Sequence, residues 1–126
     1  MELREGAIIA AELKHMSYKF YHDRVMVLMD PPETKAGSLF LPNGASIRRY
    51  SGTIVAVGVG EGVRAAGVEV VDRIIVNRWN PTEINITRLN GDEITLIAFH
   101  TYDLYVGWTD VELRLIYDAE LARLNT

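Results

Sequence analysis

The feature that most constrains this chain is a succession of short strand-like runs separated by turn-forming residues. Arg24–Met29 and residues 52–59, 68–76 and 93–99 are rich in β-branched and other apolar residues, as strands are. Asn90-Gly91 precedes the last of these runs, and this dipeptide signals a β-hairpin in which both turn positions have positive φ. Turn signals recur about every ten residues, so the sequence predicts a small all-β barrel or sandwich.

Weaker patterns complete the order of elements. Residues 17–21 and 102–108 predict one strand each, and Ile84 and Ile86 mark another before the Asn-Gly turn. The two ends differ from the middle, because residues 1–16 carry apolar side chains at helical spacing, and so do residues 117–124.

Residues 109–117 fit two patterns. Thr109-x-x-Glu112 matches a helical capping box, whereas the apolar positions from Val111 to Tyr117 also alternate as in a strand. We expect a helix for at least residues 117–124. The predicted division of the chain is an N-terminal extension, a barrel and a C-terminal extension, at residues 1–16, 17–108 and 109–126.

Composition narrows the class of protein. The 126 residues suit one domain, and an apolar fraction of 48% supplies a core. A net charge of −4 argues against a nucleic-acid partner, and the absence of cysteine excludes disulfides and thiol chemistry. The N-terminus lacks the pattern of a signal peptide, and no run approaches the ~18 apolar residues of a membrane span. We therefore expect a cytoplasmic protein without a membrane partner.

Residues 30–50 have loop composition, and about 20 residues is long for a connection in a compact domain. Pro31, Pro32 and Pro42 disfavour central strands. The middle of the stretch is nevertheless apolar, which leaves two interpretations: the cluster folds back on its own core, or it docks elsewhere. The apolar residues are Leu39, Phe40 and Leu41, flanked by Gly37, Ser38 and Pro42.

Catalysis has little support in the sequence. His15, His22 and His100 lack metal-ligand spacing, and no cysteine completes a zinc site. Glycines 58, 60 and 62 resemble a phosphate loop only superficially, because neither the Lys-Ser/Thr pair nor a convincing helix follows them. We interpret them as a flexible turn between strands, and we expect no enzyme activity, metal or cofactor.

Four segments, in order, resemble the small co-chaperonins of the GroES family. Residues 21–27 (Tyr-His-Asp-Arg-Val-Met-Val) are similar to the family's opening, and residues 33–42 to its mobile loop with Glu-Thr-Lys and an aliphatic tripeptide. Residues 51–58 resemble its central strand, and residues 68–76 its "Val-Lys-x-Gly-Asp-x-Val" segment. The likeness spans residues 18–107.

The resemblance implies a Greek-key barrel that forms a homoheptameric ring. The ring would cap a chaperonin and enclose an unfolded substrate protein, and the chaperonin rather than this chain would use ATP. Leu39, Phe40 and Leu41 of a mobile loop at residues 30–50 would dock on the chaperonin. Residues 17–20 and Leu104–Trp108 would pair between subunits, which places five residues at that interface: Tyr18, Phe20, Leu104, Tyr105 and Val106.

The chain departs from the family pattern in three places. Only residues 60–67 stand where the family has a roof hairpin, as in some phage-encoded co-chaperonins, so a viral origin is one hypothesis. Val71 replaces a glycine, so we expect the local turn to differ if that glycine needs positive φ. Both extensions lack a family counterpart. Two other interpretations remain open: a structural virion or scaffold oligomer, and a barrel that stacks nucleic-acid bases on its aromatic residues.

Overall fold

A computed structural model describes residues 4–30, 38–40, 46–48, 50–76 and 82–126. Among these residues are eight strands, three α-helices and one short 3-10 helix at Thr101–Asp103. The α-helices and strands are α1 (Arg4–His15), β1 (Arg24–Met29), β2 (Ser38–Phe40), β3 (Ser46–Arg48), β4 (Tyr50–Val57), α2 (Glu61–Ala66), β5 (Arg73–Val76), β6 (Thr82–Thr87), β7 (Glu93–His100), β8 (Leu104–Trp108) and α3 (Val111–Leu124).

Six of the strands form one antiparallel sheet in the order β6-β7-β1-β4-β5-β8. β1 lies between β4 and β7, with Val27 opposite Ile54 on one side and Ile97 on the other. Val25–Leu28 are all buried, because β1 is a central strand and both faces of the sheet are covered. This burial on both faces explains why β1 is a continuous apolar run rather than an alternating one. The predicted all-β architecture with helical ends is confirmed.

Alternating side chains divide the core into two clusters on opposite faces of the sheet. Val25, Val27, Ile54, Ile74 and Phe99 pack together on one face. The other face presents Met26, Leu28, Val55 and Leu96 to the two terminal helices. This division follows from the two-residue period of a strand.

Helix α1 covers the second face closely because its buried side is built from small residues. Ala7, Ala10 and Ala11 are buried, and a Cβ on Gly6 would lie 2.8 Å from Thr53 Cβ. Ile9 and Leu13 fill the remaining space, and each such buried side chain contributes about 1.5–3 kcal/mol. The N-terminal extension is therefore part of the core.

Both terminal helices end or begin at identifiable residues. At the end of α1, Ser17 has a φ of 57°, and the Tyr18 amide donates to the Leu13 carbonyl at 3.1 Å, which is a Schellman motif. At the start of α3, the Asp110 side chain accepts from the Leu113 amide at 3.0 Å. The predicted capping box was thus one residue out of register, and Val111 belongs to the helix rather than to a strand.

Three local predictions were wrong. Residues 17–21 are not a strand within one chain, because the Schellman motif turns the backbone there and the described sheet offers them no neighbouring strand. Residues 68–72 are not part of a strand, because a turn at Val70 and Val71 precedes β5, which contains only Arg73–Val76. The Asn90-Gly91 hairpin is present, but only Gly91 has positive φ, and Gly91 N–H donates to the Arg88 carbonyl at 3.0 Å.

Val71 was not expected to adopt the positive φ that a glycine allows, but it does. Val71 has a φ of 75°, and its amide donates to the Ile54 carbonyl at 2.7 Å. A β-branched residue in this region carries a strain of about 1–3 kcal/mol. Its side chain is almost completely buried beside Val55. The free energy gained by this burial is similar in size to the strain energy and offsets it.

Candidate functional site: a loop root and an open sheet edge

Leu39 and Phe40 of the apolar tripeptide lie in a strand that is not part of the main sheet. Strands β2 and β3 form their own two-stranded antiparallel sheet, in which Leu39 is opposite Ile47 and Phe40 is opposite Ser46. Leu41 and the flanking Gly37 and Pro42 lie outside the described residues. The backbone of Leu39 and Phe40 therefore belongs to this two-stranded sheet and not to the six-stranded one.

The two arms of residues 30–50 are joined where they leave the main sheet. Asp30 directly follows β1, and its amide donates to the Ser51 carbonyl of β4 at 2.9 Å. The Ser51 hydroxyl donates to Asp30 Oδ2 at 2.6 Å. Arg73 of β5 donates to both carboxylate oxygens of Asp30, at 2.8 and 2.5 Å, and to the Thr53 hydroxyl at 2.8 Å. We call Asp30, Ser51, Thr53 and Arg73 the loop root.

The charges of the loop root favour an ionised Asp30. Burial raises the pKa of Asp30, but the hydrogen bonds from Arg73 and Ser51 and the charge of Arg73 outweigh it, so the net pKa lies below its ordinary value. Arg73 itself is only 7% exposed and is neutralised by this contact. The arrangement fixes the position from which the loop projects.

Sequence reasoning placed Arg73 only within the strand-like run of residues 68–76, and it missed this contact. Arg73 begins a strand, and its partner lies 43 residues earlier in the chain. A signal was present, because an arginine that leads an apolar run and an aspartate that ends another each require a partner if buried. Which residues pair depends on the alignment of β4 with β5, and that alignment is not local information.

Strand β8 leaves one edge of the sheet open. Among the described strands it pairs only with β5, where Val106 is opposite Ile75 and Leu104 opposite Val76. Tyr105 is 70% exposed, and Val106 and Trp108 are each 43% exposed. An apolar edge strand with free backbone groups is a template for pairing with another chain.

The other predicted interface residues lie after α1. Tyr18 is exposed, whereas Phe20 is half-buried and packs against the cluster under α1. Within the described residues no hydrogen bond joins this segment to β8. One chain thus carries an open edge and, separately, a short apolar segment without a sheet partner.

The glycines after β4 have a structural role that excludes a phosphate loop. A short helix, α2, does follow them, contrary to the prediction of a flexible turn. Its N-terminal amides are occupied: the Gly62 N–H donates to Asp23 Oδ1 at 2.7 Å, and a Cβ on Gly60 would lie 1.9 Å from that oxygen. The carboxylate stands where an external anion would bind.

The described residues contain neither a metal site nor a membrane-spanning helix. No three acidic or histidine side chains lie close enough together to hold a metal ion. None of the helices in the described parts of the chain is long and apolar enough to cross a membrane.

Comparison with known proteins gives the family. The sequence model of the protein family named chaperonin 10 kDa subunit matches residues 17–102. The chain belongs to this family. Co-chaperonin GroES of Parvibaculum lavamentivorans is 35% identical over 88 residues, which cover 65% of this chain and 81% of that protein. Co-chaperonin GroES of Rhizorhabdus wittichii is 32% identical over 88 residues, covering 65% and 90%, respectively.

Family membership confirms the GroES resemblance and makes the fold a small GroES-like β-barrel with helical extensions. It supports a co-chaperonin role, and the family is not one of enzymes. The matched segment includes the loop root but ends before β8, and both α1 and α3 lie outside it. Cytoplasmic location and viral origin stay predictions.

Proposed function

We propose that this protein is a ring-forming co-chaperonin that closes the mouth of a chaperonin through its loop hairpin. In this proposal Leu39, Phe40 and Leu41 insert into an apolar groove of the chaperonin, with Gly37, Ser38 and Pro42 as flanks. The ring encloses an unfolded substrate protein while the chaperonin hydrolyses ATP, and this chain supplies no cofactor of its own.

The observation that carries the proposal is that β2 and β3 pair in a two-stranded sheet of their own. β2 and β3 pair with each other and not with the main sheet, whereas both arms of the loop are fixed by Asp30, Ser51 and Arg73. A segment that leaves a rigid barrel at a fixed point can reach a partner without disturbing its own fold. This combination suits a docking loop.

The energetics favour many weak contacts over one strong contact. Burial of three large apolar side chains contributes on the order of 1.5–3 kcal/mol each, and any chain entropy lost on binding opposes it. One loop therefore binds weakly. Several identical loops on one ring bind together firmly and still release, because each added contact is intramolecular.

Ring formation is supported by the open edge of β8. We propose that residues 17–20 of one subunit add to β8 of the next, at an interface that includes Tyr18, Phe20, Leu104, Tyr105 and Val106. Strand addition satisfies the free backbone groups of an edge and buries its apolar side chains. We expect seven subunits because of the family resemblance. A closed ring with another number of subunits would use the same interface.

The dome of this ring would be more open than one with a roof hairpin. Residues 60–67 consist of the short helix α2 and its two capping glycines. Gly60 precedes the helix, the Asp23 carboxylate accepts a hydrogen bond from the Gly62 amide, and Gly67 ends the helix with a φ of 70°. So short a connection has no length left for a hairpin. A roomier chamber would suit a large substrate.

The deciding experiment mixes the protein with a chaperonin ring and measures co-elution with and without ATP. Leu39→Asp and Phe40→Asp should each abolish ATP-dependent binding and leave the oligomeric mass of the free protein unchanged. Val59→Asp is a matched control, because Val59 is an exposed apolar residue outside the loop. It should bind as the unmodified protein does.

Normal chaperonin binding by both loop variants would contradict the assigned docking residues. An oligomer that never binds a chaperonin, with or without nucleotide, would favour the structural virion or scaffold role instead.

A further inference from the structure

The first turn of α1 lies against the loop root. Gly6 of α1 contacts Thr53, which belongs to the loop root. A Cβ on Gly6 would lie 2.8 Å from Thr53 Cβ, 2.9 Å from its Cγ2 and 3.1 Å from its Oγ1. The atoms nearest to that position all belong to Thr53, so the backbone of the helix is in direct contact with this side chain.

Glycine is selected at this position by the close approach. The nearby buried positions of α1 are alanine, at residues 7, 10 and 11, and glycine is less favourable than alanine within a helix. At Gly6 even a methyl group would force Thr53 or the helix to move. The sequence therefore keeps the contact at a cost in helix stability.

Thr53 connects α1 to the ion pair of the loop root. Thr53 is 2% exposed, and its hydroxyl accepts a hydrogen bond from Arg73 Nη1 at 2.8 Å. The same nitrogen donates to Asp30 Oδ1 at 2.8 Å, and Arg73 Nη2 binds Asp30 Oδ2. Because Thr53 and Asp30 share one nitrogen of the planar guanidinium, a displacement of Thr53 changes the geometry of the Arg73–Asp30 pair.

Neither side of the contact can yield easily. Thr53 is opposite Leu28 of β1 on one side and opposite Arg73 of β5 on the other, so its backbone is fixed in the sheet. Rotation about χ1 does not help, because the closest atom is Cβ, which does not move in that rotation. On the helix side, Arg88 donates to Glu5, next to Gly6, at 3.2 Å.

We propose that α1 positions the docking loop through the contact of Gly6 with Thr53. The inference rests on the proposed function, in which residues 30–50 bind a chaperonin. Gly6 acts through Thr53, and Thr53 acts through Arg73 on Asp30, from which the loop departs. Since α1 precedes the segment that matches the family, the N-terminal extension adds a support to the family's loop from outside that segment.

A double-mutant cycle within the chain tests the coupling. At neutral pH Asp30→Asn should lower the urea midpoint, because it removes the charge that neutralises buried Arg73. In the Gly6→Ala background the same substitution should lower the midpoint by about half as much or less, because the ion pair has already lost its geometry.

Ala10→Gly is the matched control for the cycle. It also changes α1 by one methyl group at a buried position, and it adds no atom next to Thr53. The helix becomes less stable while the loop root keeps its geometry. Asp30→Asn should therefore retain its full effect on the urea midpoint in the Ala10→Gly background.

Two substitutions of Thr53 separate its hydroxyl from its packing. Thr53→Val keeps the shape that faces Gly6 and removes the acceptor for Arg73, so it should also reduce the effect of Asp30→Asn. Thr53→Ser keeps the acceptor and removes the methyl group that lies closest to an added side chain at Gly6. Combined with Gly6→Ala, it should restore part of the effect. If Gly6→Ala does not fold, Thr53→Val still tests the link from the side of β4.

Chaperonin binding gives the functional readout. Gly6→Ala should raise the chaperonin concentration needed for half-maximal ATP-dependent co-elution by about tenfold, because every loop of one ring is displaced and the losses combine. The oligomeric mass should not change. Ala10→Gly should bind as the unmodified protein does.

The two readouts separate this inference from the proposed function. An unmodified chain that binds no chaperonin contradicts the proposed function, and the cycle then decides alone whether α1 supports the loop root. Equal effects of Asp30→Asn in all three backgrounds contradict the inference. So do unchanged chaperonin binding by Gly6→Ala and an equal loss of binding in Gly6→Ala and Ala10→Gly, since the latter would reflect helix stability alone.

Discussion

The two edges of the main sheet are built in opposite ways. β6, at one edge, exposes Thr82, Glu83, Asn85 and Thr87, and its buried position is Ile86. β8, at the other edge, exposes tyrosine, valine and tryptophan. Charged and polar residues protect an edge from unwanted pairing, so only one edge of this sheet carries such protection.

The same contrast extends to the ion pairs beside the two edges. Next to β6, Arg88 donates to Glu12 at 2.7 Å and to Glu5 at 3.2 Å, which ties α1 to the last hairpin. Next to β8, Arg73 is opposite Trp108 in the sheet and binds Asp30 at the loop root. At the β6 edge, polar residues and ion pairs within the chain leave no apolar strand exposed. At the β8 edge, an exposed apolar strand lies next to the start of the loop.

The largest expected effect comes from making the open edge resemble the protected one. Val106→Lys places a charge on β8 where the proposed interface is apolar, and it should convert the oligomer to monomers at micromolar concentration. Loss of a central interface contact of this kind amounts to about 2 kcal/mol or more per interface. Native mass measurement detects the change.

The matched substitution on the other edge is Asn85→Lys, at an exposed position of β6. It should leave the oligomer intact. If Asn85→Lys dissociates the assembly and Val106→Lys does not, the two edges have been assigned the wrong way round.

A smaller effect is expected where α1 is tied to the barrel. Arg88→Met leaves Glu12, which is 7% exposed, without its cation, and the free energy of unfolding should fall by about 3 kcal/mol. The hydrogen bond to Glu12 raises the pKa of Arg88, which reflects the same attraction. Urea denaturation measures the loss, with Lys14→Met as the exposed control; an unchanged midpoint for Arg88→Met would mean that α1 does not depend on this pair.

The smallest effect is the pH dependence of the loop root. Because the folded pKa of Asp30 is lowered, its ionised form stabilises the fold above the ordinary pKa of 3.8, and that contribution is lost as the pH falls through the folded value. Asp30→Asn should therefore be less stable than the unmodified chain at neutral pH, and the two stabilities should converge in acid. Urea midpoints at pH 7 and at about pH 3 test this, and a constant difference between them would contradict the ion pair.

The local patterns were sufficient to predict the barrel but not its edges. β1, β4 and the β6–β7 hairpin were predictable because apolar runs and an Asn-Gly turn are contained within a few residues. The exposure of β8 was not predictable from its pattern, since Tyr105-Val106-Gly107-Trp108 has the composition of a core strand. Its assignment to an interface came from the family resemblance.

The positions that sequence reasoning missed depend on distant parts of the chain. Asp23 reaches the start of α2 across 39 residues, and that contact turns a glycine-rich stretch into a helix. Val71 keeps a positive φ because its amide is hydrogen-bonded to β4 and its side chain is packed in the core. Residue propensities do not include such tertiary contacts. Leu41, Gly37 and Pro42 lie outside the described residues, and the docking role of the loop remains a prediction.

The most direct test of the whole account is the native mass of the unmodified protein at micromolar concentration. The account predicts a closed assembly, with seven times the mass of one chain if the ring follows its family. A protein that remains a monomer up to the highest concentration measured would leave β8 uncovered and the loops without avidity, and it would contradict the account.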